Sequence, residues 1–160
     1  MPTPPDMPVV VDTPLIRSGE QIRSRRRYSV EQIIEFARLT GDANPLHHDR
    51  LAAQRARFGE IIASGQQTAS HMMGLVASHF SRRDDGVPRE MLCLNFNFAF
   101  KAPVFAEQDI TLVWRVGQVE ASARQGGYIG HLDGTASVAG RACVVGRGTV
   151  LVKRAAGHGG

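Results

Sequence analysis

The chain changes its hydrophobic period once, near Met91, and that change limits its architecture more than any other feature. Beyond it, Leu94, Phe96, Phe98 and Phe100 alternate with Asn95, Asn97 and Ala99, which predicts a strand with one apolar face. Ala102-Pro103 ends that strand. Ile110, Leu112, Trp114 and Val116 alternate in the same way and predict a second long strand. Gly126-Gly127 turns the chain. Two more strands follow, Tyr128 to Val138 and Arg141 to Lys153, with Gly146 and Gly148 as bulge or close-packing positions. The links are too short for crossover helices, so the strands are expected to run antiparallel.

Before Met91 the period is helical. Ser29 and Gln32 form a capping box, and Val30, Ile33, Ile34 and Ala37, with Phe36 at the margin, make an apolar stripe. Gly41 is a C-terminal stop. Asp49 caps a short helix through Ala56, and Gly59 breaks the chain. A longer helix is predicted from Gly65 to about Phe80, with Ala69, Met72, Met73, Val76 and Phe80 on one face and Leu75 and Ala77 widening it. A helix apolar over most of its girth and rich in small residues is usually buried. One buried helix and a set of long antiparallel strands imply an α+β fold, a sheet wrapped round a helix. Ser81 to Pro88 is a charged connector. There is no repeat and no linker, so residues 15–154 are expected to form a single domain between an irregular Pro-rich arm (1–14) and a flexible tail (155–160).

Composition narrows the function classes. Of 160 residues, 42% are hydrophobic and 21% charged, the balance of an ordinary globular protein. No apolar run reaches the roughly 18 residues of a membrane span. The Pro-rich start does not read as a signal peptide, so a cytoplasmic location is expected. Cys93 and Cys143 stand in strand-like contexts without CxxC spacing, which predicts buried free thiols. The net charge of +4 invites a nucleic-acid reading, but the basic residues are scattered. The one dense run, Arg23, Arg25, Arg26 and Arg27, has only Tyr28 as a stacking aromatic and reads as a solvated strand or loop. Neither nucleic acid nor membrane is expected as a partner. Mild basicity also suits an anionic small molecule such as a phosphorylated acyl carrier. Lys101, Arg115, Arg141, Arg147 and Lys153 are candidates to flank a pocket mouth.

The chemistry-bearing stretch is Thr40-Gly41-Asp42-Ala43-Asn44-Pro45-Leu46-His47-His48-Asp49. Pro45 drives Asn44 out of the helical region, so an irregular loop presents Asp42, Asn44 and His47 together. A carboxylate and an imidazole on one short loop can share a water, one accepting its proton while the other orients it. Spacing alone favours the plainer reading, an Asx turn at Asp42, a turn at Asn44-Pro45 and a surface His47.

The run FARLTGDANPLHHD resembles the hydratase motif of MaoC-like proteins, a family that includes (R)-specific enoyl-CoA hydratases: a helix, then Gly-Asp-x-Asn-Pro-x-His, then an acidic residue. Arg57 to Gly65 looks like the segment entering that family's central helix. LNFNFAFKAPVFAEQDITL resembles its strand, Pro-containing turn and following strand. The resemblance extends from about Gly19 to Lys153. It implies a hot-dog fold with Gly65–Phe80 as the enclosed helix. Asp42 and His47 match the catalytic pair that adds water to C3 of a trans-2-enoyl thioester or removes it. Asn44 matches a residue supporting the loop, and Gly65 lies where the first helical N–H would polarise the thioester carbonyl, as helix N-termini can. The chain departs from the family at Ser64-Gly65, where His-Gly is common, and at Met73, where some hydratases carry a serine.

The implied activity is a hydro-lyase reaction on an enoyl or 3-hydroxyacyl thioester, with CoA or an acyl carrier as part of the substrate and no separate cofactor. Alternatives are a catalytically silent acyl-binding hot-dog subunit and a hot-dog thioesterase. A two-fold homodimer, or an assembly of such dimers, is expected because a hot-dog sheet leaves an open edge. His48, His71, His79, His131 and His158 suggest no metal-ligand spacing, and no metal is expected.

Overall fold

The computed structural model describes residues 14–157. Its elements are β1 (Gln21–Arg26), α1 (Val30–Thr40), a 3-10 turn (Pro45–His47), α2 (Arg50–Arg55), α3 (Gly65–His79), β2 (Arg89–Phe100), β3 (Ile110–Ser122), β4 (Gly127–Val138) and β5 (Arg141–Arg154). The five strands form one antiparallel sheet in the order β1-β3-β4-β5-β2. α3 lies against all five, so the sheet curls round it. This is the expected α+β hot-dog fold. The expected arm, 1–14, falls almost wholly outside the described residues. Ala155, expected within the tail, is buried, and its N–H donates to the Pro88 carbonyl at 3.0 Å. Among the described residues no helix is long and apolar enough to cross a membrane.

The core forms where α3 meets the centre of the sheet. Ile110, Leu112, Trp114 and Val116 of β3 all point inward and are almost fully buried. They meet Met72, Val76 and Phe80 of α3. The Trp114 indole N–H donates to the Met72 carbonyl at 2.9 Å, tying helix to sheet. Phe96 and Phe98 of β2 meet Trp114 in T-shaped contacts with 5.6 and 6.3 Å between centroids. These rings need floor space, and glycine supplies it. A Cβ on Gly134 would sit 2.4 Å from Trp114, one on Gly146 2.7 Å from Phe98, and one on Gly148 2.4 Å from Phe96. Gly146 and Gly148 are therefore close-packing positions and not bulges.

Three local features sharpen or correct the expectations. β1 carries the arginine run and was legible only as a strand or loop; it pairs with β3 as an edge strand whose single fully inward residue is Ile22. Leu94 lines the same groove as the three phenylalanines, but it sits at an irregularity in the strand. The β2–β5 register slips between Cys93 and Asn95, leaving Leu94 as the extra residue of a bulge. Cys93, expected to be buried, is exposed on this edge strand, whereas Cys143 is buried.

The far end of α3 is tied down by charge. Glu20 pairs with His79 and lies 3.8 Å from Arg82. Burial acts to raise the Glu20 carboxyl, but hydrogen bonds from His79 and the Arg17 N–H outweigh it and hold the group below its ordinary value. Arg89, almost fully buried, donates to the carbonyls of Leu15 and Val87 and to Asp85, whose carboxyl it holds well below the usual range.

The glycine floor gives a stability test. Gly134→Ala forces a methyl against Trp114, which has no solvent side to move toward, and should lower unfolding free energy by roughly 1–3 kcal/mol. Gly117→Ala, whose Cβ would have an ordinary 3.5 Å contact with the His131 carbonyl, should cost distinctly less. Urea unfolding of both variants checks this; equal losses would contradict the packing argument.

Candidate active site

Two short devices carry α1 into the loop that bears Asp42 and His47. Gly41 takes a left-handed conformation (φ 70°) that glycine adopts without strain. Its N–H donates to Arg38 O, and the Asp42 N–H donates to Ala37 O at 2.9 Å, a Schellman end that fixes Asp42 just beyond the helix. Asn44 then caps the 3-10 turn, its Oδ1 accepting from the Leu46 N–H at 3.1 Å. Asn44 also donates its own N–H to Asp42 Oδ1 at 3.0 Å. Asp49 caps α2 through the N–H groups of Leu51 and Ala52.

His47 is buried, 7% exposed, and its orientation is set by the segment leading into α3. The Ile62 N–H donates to Leu46 O at 3.2 Å, and His47 Nδ1 meets Ile62 O at 2.8 Å. A carbonyl can only accept, so Nδ1 carries the hydrogen. In the neutral ring Nε2 is then a bare acceptor, and it faces Asp42 Oδ2 at 3.6 Å. Two acceptors at this separation do not bond to each other. A molecule with two donors, such as water, satisfies both.

The imidazole opens onto a cavity of about 490 Å³ lined by Ile62, Ala63, Ser64, Gly65, Thr68, Phe100 and Val104 among others. Ala63 is held to the wall by its N–H on Val104 O at 2.8 Å. Gly65 begins α3 and brings the helix's first N–H groups to this space. A Cβ there would lie 2.4 Å from the Phe100 ring, so any larger residue would have to displace that side chain. Ser64, the N-cap, makes no side-chain cap bond, and its buried hydroxyl has no hydrogen-bond partner among the described residues. Three cations line the same cavity: Arg57, Lys101 and Arg141. A dyad, a helix N-terminus and a basic rim thus converge on one pocket.

The family model described as "MaoC like domain" matches residues 13–132. The chain belongs to the MaoC-like domain family. It is 29% identical over 93 residues to an (R)-specific enoyl-CoA hydratase of Aeromonas caviae, covering 58% of this chain and 65% of that protein. It is 27% identical over 96 residues to a mitochondrial 3-hydroxyacyl-[acyl-carrier-protein] dehydratase of Solanum lycopersicum, covering 60% and 53%. Among solved structures, an (R)-hydratase of A. caviae involved in PHA biosynthesis superposes with a TM-score of 0.73 at 25% identity, over 88% of this chain and 98% of that one. The chain spans between 47% and 65% of the length of the curated relatives it matches.

Within this MaoC-like domain the five residues singled out from sequence lie close together. His47, Ser64 and Gly65 line the cavity, Asp42 stands beside His47, and Asn44 braces the loop from behind without lining the pocket. Of the five candidate cations, Lys101 and Arg141 line the cavity; Arg115, Arg147 and Lys153 do not, and Arg147 pairs with Asp133 at 3.4 Å. Arg57 was not anticipated, nor was Thr68, which accepts from the buried Tyr28 hydroxyl at 3.2 Å on the cavity's helix wall. Met73 lies outside the cavity, in the groove between α3 and β2.

Proposed function

We propose that this chain interconverts trans-2-enoyl and 3-hydroxyacyl thioesters by adding or removing water. The observation that carries this reading is the gap between Asp42 Oδ2 and His47 Nε2: two acceptors, 3.6 Å apart, at the edge of a pocket that begins at a helix N-terminus. A water seated alongside the pair, off the line joining the two atoms, donates a hydrogen to each and turns a lone pair toward the cavity. During hydration that oxygen bonds to C3, the C2–C3 π pair moves toward the thioester oxygen, and the dyad takes up one water proton. The transient negative charge on the thioester oxygen falls to the N–H groups at Gly65. A proton then passes from the dyad to C2, which restores the starting state. Dehydration is the same path in reverse.

The basic rim suits the carrier. Arg57, Lys101 and Arg141 place three positive charges around the cavity, and CoA and a phosphopantetheine arm both bring phosphate. The relatives named above act on CoA and on carrier-protein esters, and the rim fits either. The KM for crotonyl-CoA is expected to rise with ionic strength. A KM that stays flat from about 0.05 to about 0.5 M salt would count against a phosphate contact.

The assembly proposed is a two-fold homodimer. β2 is an edge strand, and Leu92, Leu94 and Phe100 on it are exposed, a row of apolar side chains that an antiparallel copy would cover. Light scattering should give twice the chain mass; an active monomer at dilution would contradict it.

Asp42→Asn and His47→Gln test the chemistry, since each keeps rough shape and removes one base. Loss of enoyl absorbance from crotonyl-CoA should slow by on the order of 10²–10⁴ in each folded variant. Because the two groups serve one water, the double variant should be little slower than the slower single one. Wild-type turnover in both singles would remove the dyad from the mechanism.

A further inference from the structure

Asp42 is held by more than its own loop. Its Oδ1 accepts the Asn44 N–H at 3.0 Å. Its Oδ2, the oxygen that faces His47, accepts from Gln66 Nε2, also at 3.0 Å. Gln66 is the second residue of α3 and directly follows Gly65. The same helix terminus that offers N–H groups to the cavity therefore reaches back across the loop to the carboxylate. Gln66 Nε2 also lies 3.5 Å from Thr40 Oγ1, the hydroxyl at the end of α1.

We infer that Gln66 is a positioning residue, the group that holds Asp42 Oδ2 beside His47 Nε2 without letting the two close on each other. A carboxylate beside an imidazole can rotate about χ2 until it meets Nε2 directly, at which point the ring is protonated and the pair closes as an ion pair. That closed pair has no place for the reacting water. An amide N–H donating to Oδ2 from the side opposes this rotation. The Asn44 N–H on Oδ1 fixes the other end, so both oxygens are tied in a plane chosen by backbone and helix. Glutamine suits the task because its donor is neutral. It orients the carboxylate without adding a charge to compete for it, whereas a lysine there would form an ion pair of its own.

Other groups near the dyad do not duplicate the role. Ile62 O fixes the imidazole and does not reach the carboxylate. The rim cations Arg57, Lys101 and Arg141 line the cavity, whereas the carboxylate of Asp42 meets Asn44, Gln66 and His47. Gln66 is exposed, so its replacement leaves the core untouched.

The consequence for rate rests on the hydration reading; the consequence for geometry does not, and the experiment separates them. Gln66→Leu removes the donor and Gln66→Glu removes it while keeping the shape. With crotonyl-CoA, both should lower kcat on the order of tenfold, with KM changed less than about twofold, because near-attack geometry is lost and substrate contacts are kept. Independently of turnover, the His47 ring can be titrated by NMR. In Gln66→Leu the freed carboxylate closes on Nε2, opposite charge comes nearer the imidazolium, and the His47 midpoint should move upward by about half a pH unit or more relative to the parent. Oligomer size must match the parent in each variant. If the parent hydrates no enoyl thioester, the proposed function fails while the titration still decides the positioning role. A Gln66→Leu protein whose His47 midpoint matches the parent's overturns that role, as does wild-type kcat in both variants of an active parent.

Discussion

The hydrogen bond from the Trp114 indole to the Met72 carbonyl is the contact on which the rest of this structure turns. It fixes the height of α3 over the sheet and its rotation about its own axis. Both matter, because the first turn of α3 must bring Gly65 to the cavity and Gln66 to Asp42 at the same time. A helix rotated by one residue, about 100°, would send both away. The bond is possible only because β4 and β5 carry glycine beneath the rings. With any larger residue at Gly134 or Gly146 the indole would be displaced and α3 with it.

The loop is assembled from the opposite side. α1 ends in a Schellman turn that aims Asp42, the 3-10 turn is capped by Asn44, and Ile62 clamps Leu46 and His47. None of these contacts is individually strong. A backbone hydrogen bond adds about 1 kcal/mol net. Their effect is geometric: each removes one rotation from a stretch that would otherwise sample many. The dyad is thus built between two rigid bodies, α1 and the α3 entrance, and does not depend on the loop's own stiffness.

Much of this was legible in the sequence because it follows from short-range rules. The capping box at Ser29, the stop at Gly41, the cap at Asp49, the start of α3 at Gly65 and the inward face of β3 depend on neighbours within a few residues. The clustering of Asp42 and His47 was legible through the motif. What escaped depended on partners far along the chain. β1 has no hydrophobic alternation; β3 recruits it across some ninety residues by backbone pairing, with Ile22 as its one buried anchor opposite Trp114. Arg57 and Thr68 join the cavity through tertiary packing. The bulge at Leu94 shifts register by a single residue, and periodicity reads straight through such a slip because Phe96, Phe98 and Phe100 keep alternating after it. Gln66 was invisible for the same reason: an exposed glutamine on a helix is ordinary until the helix is placed beside a carboxylate.

The separation within the dyad has a consequence for direction. Two acceptors close together repel, so the placing of Asp42 Oδ2 beside His47 Nε2 is held by the donors on the carboxylate, the Asn44 N–H and the Gln66 amide. When the pair gains a proton, the repulsion becomes an attraction between imidazolium and carboxylate, and the same neighbours remain in place. A site of this kind does not drive hydration or dehydration. On the proposed reading it would lower the barrier between them, and the thioester's own equilibrium would set which way the reaction runs.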